Sequence, residues 1–383
     1  MELFPAILIG GPPHSGKSVL TYSLTQALRR RGVDHYVLRA APDGEGDWAN
    51  EAAQKLVRTL RVKGDFEPAF VDHVCDSLAG RHLPLLVDAG GCPTPEQERM
   101  FDYCTHAVLL APDEPGLAGW RDIAGRHHLP VVAELTSHLT EESRLIERRP
   151  MLRGVLTGLE RGATAAGPVF EALVERLAEV LYYDPAELCR IHNSLCPVET
   201  IIDLDRLART FKVPFDGERA VWEPRYLPDV LAYLPERTPL GLYGRGPNWL
   251  YAALAFCPPP EPLYQFDPRL GWVTPPSVQL GQPTPDALLQ ASVTRQKAHM
   301  QIEFYIPRTY LDYDQALNLS APTPEPGLGV VLSGKLPHWL YTGLALAYRA
   351  APWVAVYQPQ LGCAVVAYSA GPTYAVGDCV SLE

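Results

Sequence analysis

The chain has 383 residues, 47% apolar and 20% charged, a balance that supports ordinary folded cores and excludes an intrinsically disordered protein. A net charge of −11 argues against a nonspecific binder of duplex DNA, although a local basic pocket for a small nucleotide is compatible with it. No apolar run reaches the length of a membrane-spanning helix, and no basic region followed by an apolar core marks a secretion leader, so a membrane partner is not expected.

The first apolar run, Ala6–Ile9, leads into Gly11-Pro12-Pro13-His14-Ser15-Gly16-Lys17-Ser18, and a helical pattern follows over Val19–Arg31. Strand, glycine loop and helix are the context that a phosphate-binding loop requires. Backbone N–H groups of such a loop point at phosphate oxygens, and the helix adds its positive N-terminal end. Lys17 would reach the β- and γ-phosphates of ATP, and the Ser18 hydroxyl would hold Mg²⁺. Gly11, Pro12, Ser15 and Gly16 complete the cradle, with prolines stiffening it and His14 as a solvent-facing member.

Further strands are expected at Tyr36–Leu38, Leu83–Val87, Ala107–Leu110, Val131–Leu135 and Gly154–Leu159. Helices are expected at Trp48–Leu60, Pro68–Leu78, Thr94–Tyr103, Gly116–His127 and Glu171–Leu181. The alternation predicts a parallel α/β sheet with helices on both faces, whose ligands bind beyond the carboxyl ends of the strands. Asp88 stands at such an end, before Ala89-Gly90-Gly91, where a carboxylate holds Mg²⁺ directly or through water. The cluster Asp43-Gly44-Glu45-Gly46-Asp47 reads as an exposed acidic loop; the other reading makes Asp43 a substrate contact or base, with Arg39 as an ion-pair partner. Arg148, Arg149 and Arg153 could steady a transferring phosphoryl group but read first as surface cations. Pro185 then ends the domain.

The second half repeats itself. Gly244-Arg245-Gly246-Pro247-Asn248-Trp249-Leu250-Tyr251 recurs 90 residues on as Gly334-Lys335-Leu336-Pro337-His338-Trp339-Leu340-Tyr341. Phe266-Asp267-Pro268-Arg269-Leu270-Gly271 recurs 91 residues on as Tyr357-Gln358-Pro359-Gln360-Leu361-Gly362. Two copies near 90 residues predict a duplicated small α+β domain rather than a solenoid. The expected boundaries are 1–185 for a P-loop NTPase domain, 186–290 for the first copy and 291–383 for the second. In the second copy Gly329–Leu332 reads as a strand, Ser333-Gly334-Lys335 as a turn, Trp339–Tyr348 as a helix, and Trp353–Tyr357 and Ala364–Tyr368 as two further strands.

The strand-to-helix turn presents N–H groups and one cation, suited to a phosphodiester; the plainer reading is a glycine turn with an exposed basic residue. Ser333, Gly334 and Lys335, their counterparts Gly244 and Arg245, and Asn248 and His338 at equivalent positions are the candidate ligand-binding set. Trp249 and Trp339 read as core residues ahead of base-stacking platforms. Asp267 and Arg269 could orient a ribose hydroxyl and stabilise a phosphorane, or form a salt bridge across their turn. Eight cysteines, none in a C-x-x-C pair, read as reduced thiols of a cytoplasmic protein.

These residues resemble the CRISPR-associated ring-nuclease family called Csx-three or Crn-three. The resemblance runs through Gly329–Leu340, Trp353–Tyr357 leading into the Asp-Pro-Arg-Leu-Gly position, and Tyr374-Ala375-Val376-Gly377-Asp378. It covers about 296–383 and, more loosely, 199–285; residues 1–185, including Arg39 through Trp48, are similar to the P-loop AAA domain fused to some members. The resemblance implies binding of cyclic oligoadenylate, the second messenger of type III CRISPR defence, and its cleavage with Mn²⁺ stimulation. It further implies a ligand sandwiched between paired copies, here a pseudo-dimer within one chain, and a homo-oligomer is expected. Asp267, Arg269 and Lys335 are the implied catalytic residues, with Asp88 serving the ATP site. Gln358 and Gln360 stand where the second copy would carry the Asp-x-Arg pair, and the histidine that the resemblance implies before the Trp353 strand is not evident, with Arg349 nearby. Two other readings are a P-loop kinase or ligase with a duplicated ligand-sensing domain, and a noncatalytic sensor of cyclic oligoadenylate.

Overall fold

The computed structural model describes residues 4–41, 68–140, 142–160, 162–217, 219–235, 237–256, 262–282, 287–307 and 311–382. Two compact units divide the chain: Met1–His192 with Pro268–Leu270, and Asn193–Asp267 with Gly271–Glu383.

The first unit runs β1 (Ala6–Gly10), α1 (Lys17–Arg30), β2 (Tyr36–Ala40), α2 (Pro68–Ala79), β3 (Leu85–Ala89), α3 (Pro95–Glu98), β4 (His106–Ala111), α4 (Glu114–Arg126), β5 (Val131–His138), β6 (Arg144–Glu147), β7 (Leu152–Thr157), α5 (Pro168–Leu181) and α6 (Pro185–Ser194). Its sheet has the order β2-β3-β1-β4-β5-β7-β6, parallel except for β6, which pairs antiparallel with β7 at the edge. β1 and β3 are buried along their whole length, which is why their sequences are unbroken apolar runs rather than alternating ones. Ile7 and Ile9 of β1 meet Leu20, Leu24 and Leu28 of α1 in one core cluster with Leu173 and Leu177 of α5.

The expected strands all pair, and β6 adds one that was not anticipated. The expected helix over Thr94–Tyr103 divides in two: Thr94 and Gln97 form a capping box on α3, and a 3₁₀ turn follows over Arg99–Tyr103. α4 begins before the expected Gly116, because the Asp113 carboxylate accepts the Gly116 N–H at 2.8 Å and caps it. The Asp43–Asp47 cluster and the Trp48–Leu60 helix lie outside the described residues.

His192, on α6, is 1% exposed, and its Nε2–H donates to the His82 carbonyl. Burial pushes its pKa down to about 4, so the unfolded chain takes up a proton at higher pH than the fold does. Stability is therefore expected to fall as pH drops from 6.5 towards 4, by up to about 3 kcal/mol. Denaturant titrations across that window test this. His192→Gln, which keeps a donor and cannot be protonated, should flatten the slope.

The second unit runs β8 (Thr200–Asp203), α7 (Leu204–Thr210), β9 (Phe215–Asp216), β10 (Arg219–Ala220), α8 (Leu227–Tyr233), β11 (Leu240–Tyr243), α9 (Asn248–Phe256), β12 (Leu263–Asp267), β13 (Gly271–Val273) and β14 (Gln279–Leu280). It continues with β15 (Gln290–Arg295), β16 (His299–Tyr305), α10 (Tyr313–Ala316), β17 (Ser320–Ala321), β18 (Gly329–Gly334), α11 (His338–Ala347), β19 (Trp353–Gln358), β20 (Cys363–Ser369) and β21 (Cys379–Val380). One sheet is ordered β13-β12-β11-β8 and another β15-β16-β18-β19-β20-β21. β8, β11 and β12 are parallel and β13 turns back antiparallel. β16, β18 and β19 are likewise parallel and β20 turns back antiparallel. Each sheet carries its Trp-led helix between the second and third of these strands, so the repeated words in the sequence stand on a repeated topology. Both halves share one core, in which Trp249 and Trp339 are each 1% exposed. Among the described residues, no helix is long and apolar enough to cross a membrane.

Candidate functional site

In the first unit the Gly11–Ser18 loop joins the end of β1 to α1. His14 and Gly16 both take positive φ, 62° and 90°, which turns the loop tightly before the helix begins. Lys17 is 7% exposed, and its Nζ donates to the carbonyls of Gly11 at 2.8 Å and Pro12 at 2.7 Å. Burial lowers its pKa, while the Asp88 carboxylate pulls it back up. Ser15 Oγ is buried and has no hydrogen-bond partner among the described residues. Ser18 is half-buried at the start of α1, while Pro13 and His14 are exposed.

Asp88, the last but one residue of β3, is 4% exposed and accepts a hydrogen bond from Arg39 Nη1 at 2.7 Å. The pairing of β2 with β3 sets Arg39 directly opposite Asp88. The expected partnership of Arg39 with Asp43–Asp47 falls on residues outside those described. Arg148 and Arg149 pair with Glu175 and Glu179 at the surface, and Arg153 with the buried Glu134 and with Glu147, at 3.2 to 3.8 Å. The residues fit a bound nucleoside polyphosphate with Mg²⁺: Ser15 Oγ is an unsatisfied polar atom in the loop, Lys17 is a buried cation, and one carboxylate plus one hydroxyl suits an ion that keeps phosphate and water ligands.

In the second unit the two Trp-led helices pack together, and their N-termini meet. Asn248 Oδ1 lies 2.6 Å from His338 Nδ1, and the His338 ring lies 4.6 Å from the Tyr251 ring at 31°. These are the same repeat position on the two helices, so the halves face each other there across an approximate twofold. With the Asn248 amide so oriented, His338 Nδ1 carries the proton and Nε2 the lone pair. The outer edge of His338 is exposed, but the surrounding protein desolvates the ring and lowers its pKa, against the opposing pull of the Asp267 carboxylate. Asp267 also acts on Tyr251, whose hydroxyl is held neutral by burial.

Each junction is closed in the same way. Tyr251 donates its hydroxyl to the Gly244 carbonyl, and Tyr341 donates to Gly334. The two glycines take φ of 102° and 129°. No role was expected for these tyrosines; their presence seven residues after the glycine in both copies was the available signal. Arg245 and Lys335 are exposed beside them, and Ser333 is buried, with Oγ donating to the Ile302 carbonyl at 3.5 Å. Pro268–Leu270 is grouped with the first unit, in which the Arg269 guanidinium lies 5.9 Å from the centroid of the Tyr36 ring. In the second copy Gln358 donates to Gln360 across the corresponding turn. Among the described residues, no group of three or more His, Cys, Asp or Glu is arranged to hold a metal ion.

The site is thus a pair of duplicated strand–turn–helix junctions closed on one another, with an imidazole and a carboxylate where they meet. Residues 305–381 match the family model described as CRISPR-associated protein (Cas_csx3). The chain is also similar to a protein of Aquifex aeolicus (strain VF5) described as an uncharacterized protein, 43% identical over 54 residues, which is 14% of this chain and 49% of that protein. The chain therefore spans about half the length of that curated relative.

Proposed function

We propose that this chain is an accessory protein of type III CRISPR defence that binds cyclic oligoadenylate between the duplicated halves of its second unit and cleaves it. In this reading the first unit is a P-loop NTPase domain of the AAA kind that binds ATP and Mg²⁺. The observation that carries the proposal is the meeting of the two junctions at Asn248 and His338, beside Asp267. The match of 305–381 to a CRISPR-associated family supports the defence context.

In the cleavage step a ribose 2′-hydroxyl attacks the adjacent phosphate, the 2′-oxygen–phosphorus bond forms and the bond to the 5′-oxygen breaks. His338 Nε2 takes the 2′ proton, Asp267 steadies the imidazolium that forms, and the leaving 5′-oxygen takes a proton from water. Lys335 and Arg245 offset the charge that builds on the phosphate. Asp267 is the carboxylate on hand for Mn²⁺, which would then be held chiefly by phosphate and water oxygens. Positioning of the ring in a shared cleft supplies much of the rate.

Labelled cyclic tetra- and hexa-adenylate test the reading; a protein that neither binds nor turns over either ring ends it. His338→Ala and Asp267→Asn are each expected to slow cleavage by roughly 10²-fold while binding changes far less. A lowered imidazole pKa keeps the base neutral at physiological pH, so the acid limb of the rate profile should lie below 6.5. The two glutamines at 358 and 360 favour a second reading, a sensor, which tight ring binding without product would select.

A further inference from the structure

Cys363 and Cys379 bring their sulfurs to 2.7 Å of each other. They stand on adjacent antiparallel strands, β20 and β21, where Val365 pairs with Cys379 and Ala364 with Val380. That register puts both thiols on one face of the sheet, two residues apart along the diagonal. Cys363 is half-buried and Cys379 is exposed. We propose that Cys363 and Cys379 form an oxidisable dithiol that closes to a disulfide when a hydroperoxide reaches it.

The exposed member reacts first. Cys379 sulfur attacks a peroxide oxygen, the O–O bond breaks, and the products are a sulfenic acid and one water or alcohol. Cys363 sulfur then attacks Cys379 sulfur, the S–S bond forms, the S–O bond breaks, and the hydroxide leaves as water with the Cys363 proton. Two thiols become one disulfide, and the peroxide accepts the two electrons. Burial, with the Cys379 sulfur beside it, pushes the Cys363 thiol up to about 12, so Cys363 waits protonated and acts only on an adjacent sulfenic acid. The sulfurs need to approach by only about 0.7 Å to reach bonding distance.

The bond would staple the last strand of the second unit. The turn before β21 rests on the first half: an added Cβ at Gly377 would come 2.7 Å from the Pro224 carbonyl oxygen. On its other side Cys363 pairs with Gln358, the residue that opens the turn corresponding to Asp267–Leu270. Closing the 363–379 loop removes freedom mainly from the unfolded chain, so the oxidised protein should be the more stable form. The inference rests on strand register and sulfur contact, and is independent of the ring-cleavage reading.

Reduced, desalted full-length protein treated with dilute hydrogen peroxide is expected to lose about 2 Da and to melt roughly 5–10 °C higher, both reversed by a thiol reductant. No Lys or Arg lies between 350 and 383, so trypsin leaves the two cysteines on one peptide, whereas chymotrypsin separates them after Tyr368 and Tyr374. The non-reducing chymotryptic map should show those two peptides joined. Cys379→Ser and Cys363→Ala should each abolish the link and the melting shift. The mass and map of the unmodified sequence need neither variant to fold. If both thiols stay open to alkylation after oxidation, or are oxidised separately to sulfinic acids, the proposal fails.

Discussion

Lys17→Ala is expected to lower ATP turnover by roughly 10²–10³-fold and to remove the ATP-dependent rise in melting temperature, while stability without ligand changes by only about 1 kcal/mol. A structural lysine would not behave in this way. The Lys17 ammonium is nearly buried, and its contacts within the loop are the carbonyls of Gly11 and Pro12. Burial lowers its pKa, so the fold works against its charge near neutral pH even with Asp88 nearby. Removing it sheds that desolvation cost and loses two hydrogen bonds, which roughly cancel. In the proposed reading a buried cation that contributes little to folding serves a bound phosphate, and the Ser15 hydroxyl, without a partner among the described residues, fits that reading. Hydrolysis assays and melting curves with and without ATP and Mg²⁺ check this; a Lys17→Ala protein that keeps both turnover and thermal shift would remove the nucleotide from the account. Asp88→Asn is a poorer probe, because it also removes the 2.7 Å ion pair with Arg39 and costs stability for a reason unrelated to Mg²⁺.

The readable parts of this chain were those whose burial or repetition leaves a mark on residue order. β1, β3 and β4 lie deep in a parallel sheet, so their positions show as apolar runs. β6 shows nothing of the kind: Arg144, Leu145, Ile146 and Glu147 form an edge strand that alternates exposed and half-buried positions, and polar ends disguise it. The repeat exposed the Gly–Trp–Tyr junctions directly, yet it did not reveal the strand that opens each half. β8 and β16 occupy the same place beside β11 and β18, while Thr200–Asp203 and His299–Tyr305 share no pattern: all four residues of β8 are half-buried, whereas β16 mixes buried and exposed positions.

Pairings at a distance were the other gap. Arg39 and Asp88 meet through the register of β2 on β3, although they are 49 positions apart in the chain. Asn248 and His338 occupy one repeat position, and equivalent residues touch only near a twofold axis, so the duplication limited their options without choosing one.

Gly334→Ala is expected to destabilise the second unit by about 3–5 kcal/mol, and Gly244→Ala, the same position in the other copy, by only about 1–2 kcal/mol. Both glycines take a positive φ that other residues resist, 129° and 102°, so both substitutions carry backbone strain. Their surroundings differ. A Cβ at Gly334 would run into the carbonyl oxygen of Phe304, which is backbone, and Phe304 is held opposite Gly334 by the pairing of β16 with β18. Relief would require opening the end of that strand pair. A Cβ at Gly244 would come no nearer than 3.5 Å to Leu204, an ordinary contact. Denaturant melts of the two variants measure the gap directly, and equal losses would show that strain at the turn, not crowding against β16, sets the cost. The same comparison bears on the site. The Gly334 carbonyl accepts the Tyr341 hydroxyl and the Gly244 carbonyl accepts that of Tyr251. Moving β18 displaces Ser333 and Lys335 together, whereas strain at Gly244 is borne by a turn with room around it. In the proposed reading ring binding should therefore weaken more in Gly334→Ala than in Gly244→Ala when both are compared under conditions where they are fully folded, because the first shifts the strand end that carries Ser333 and Lys335, while the second leaves the turn that carries Arg245 room to adjust.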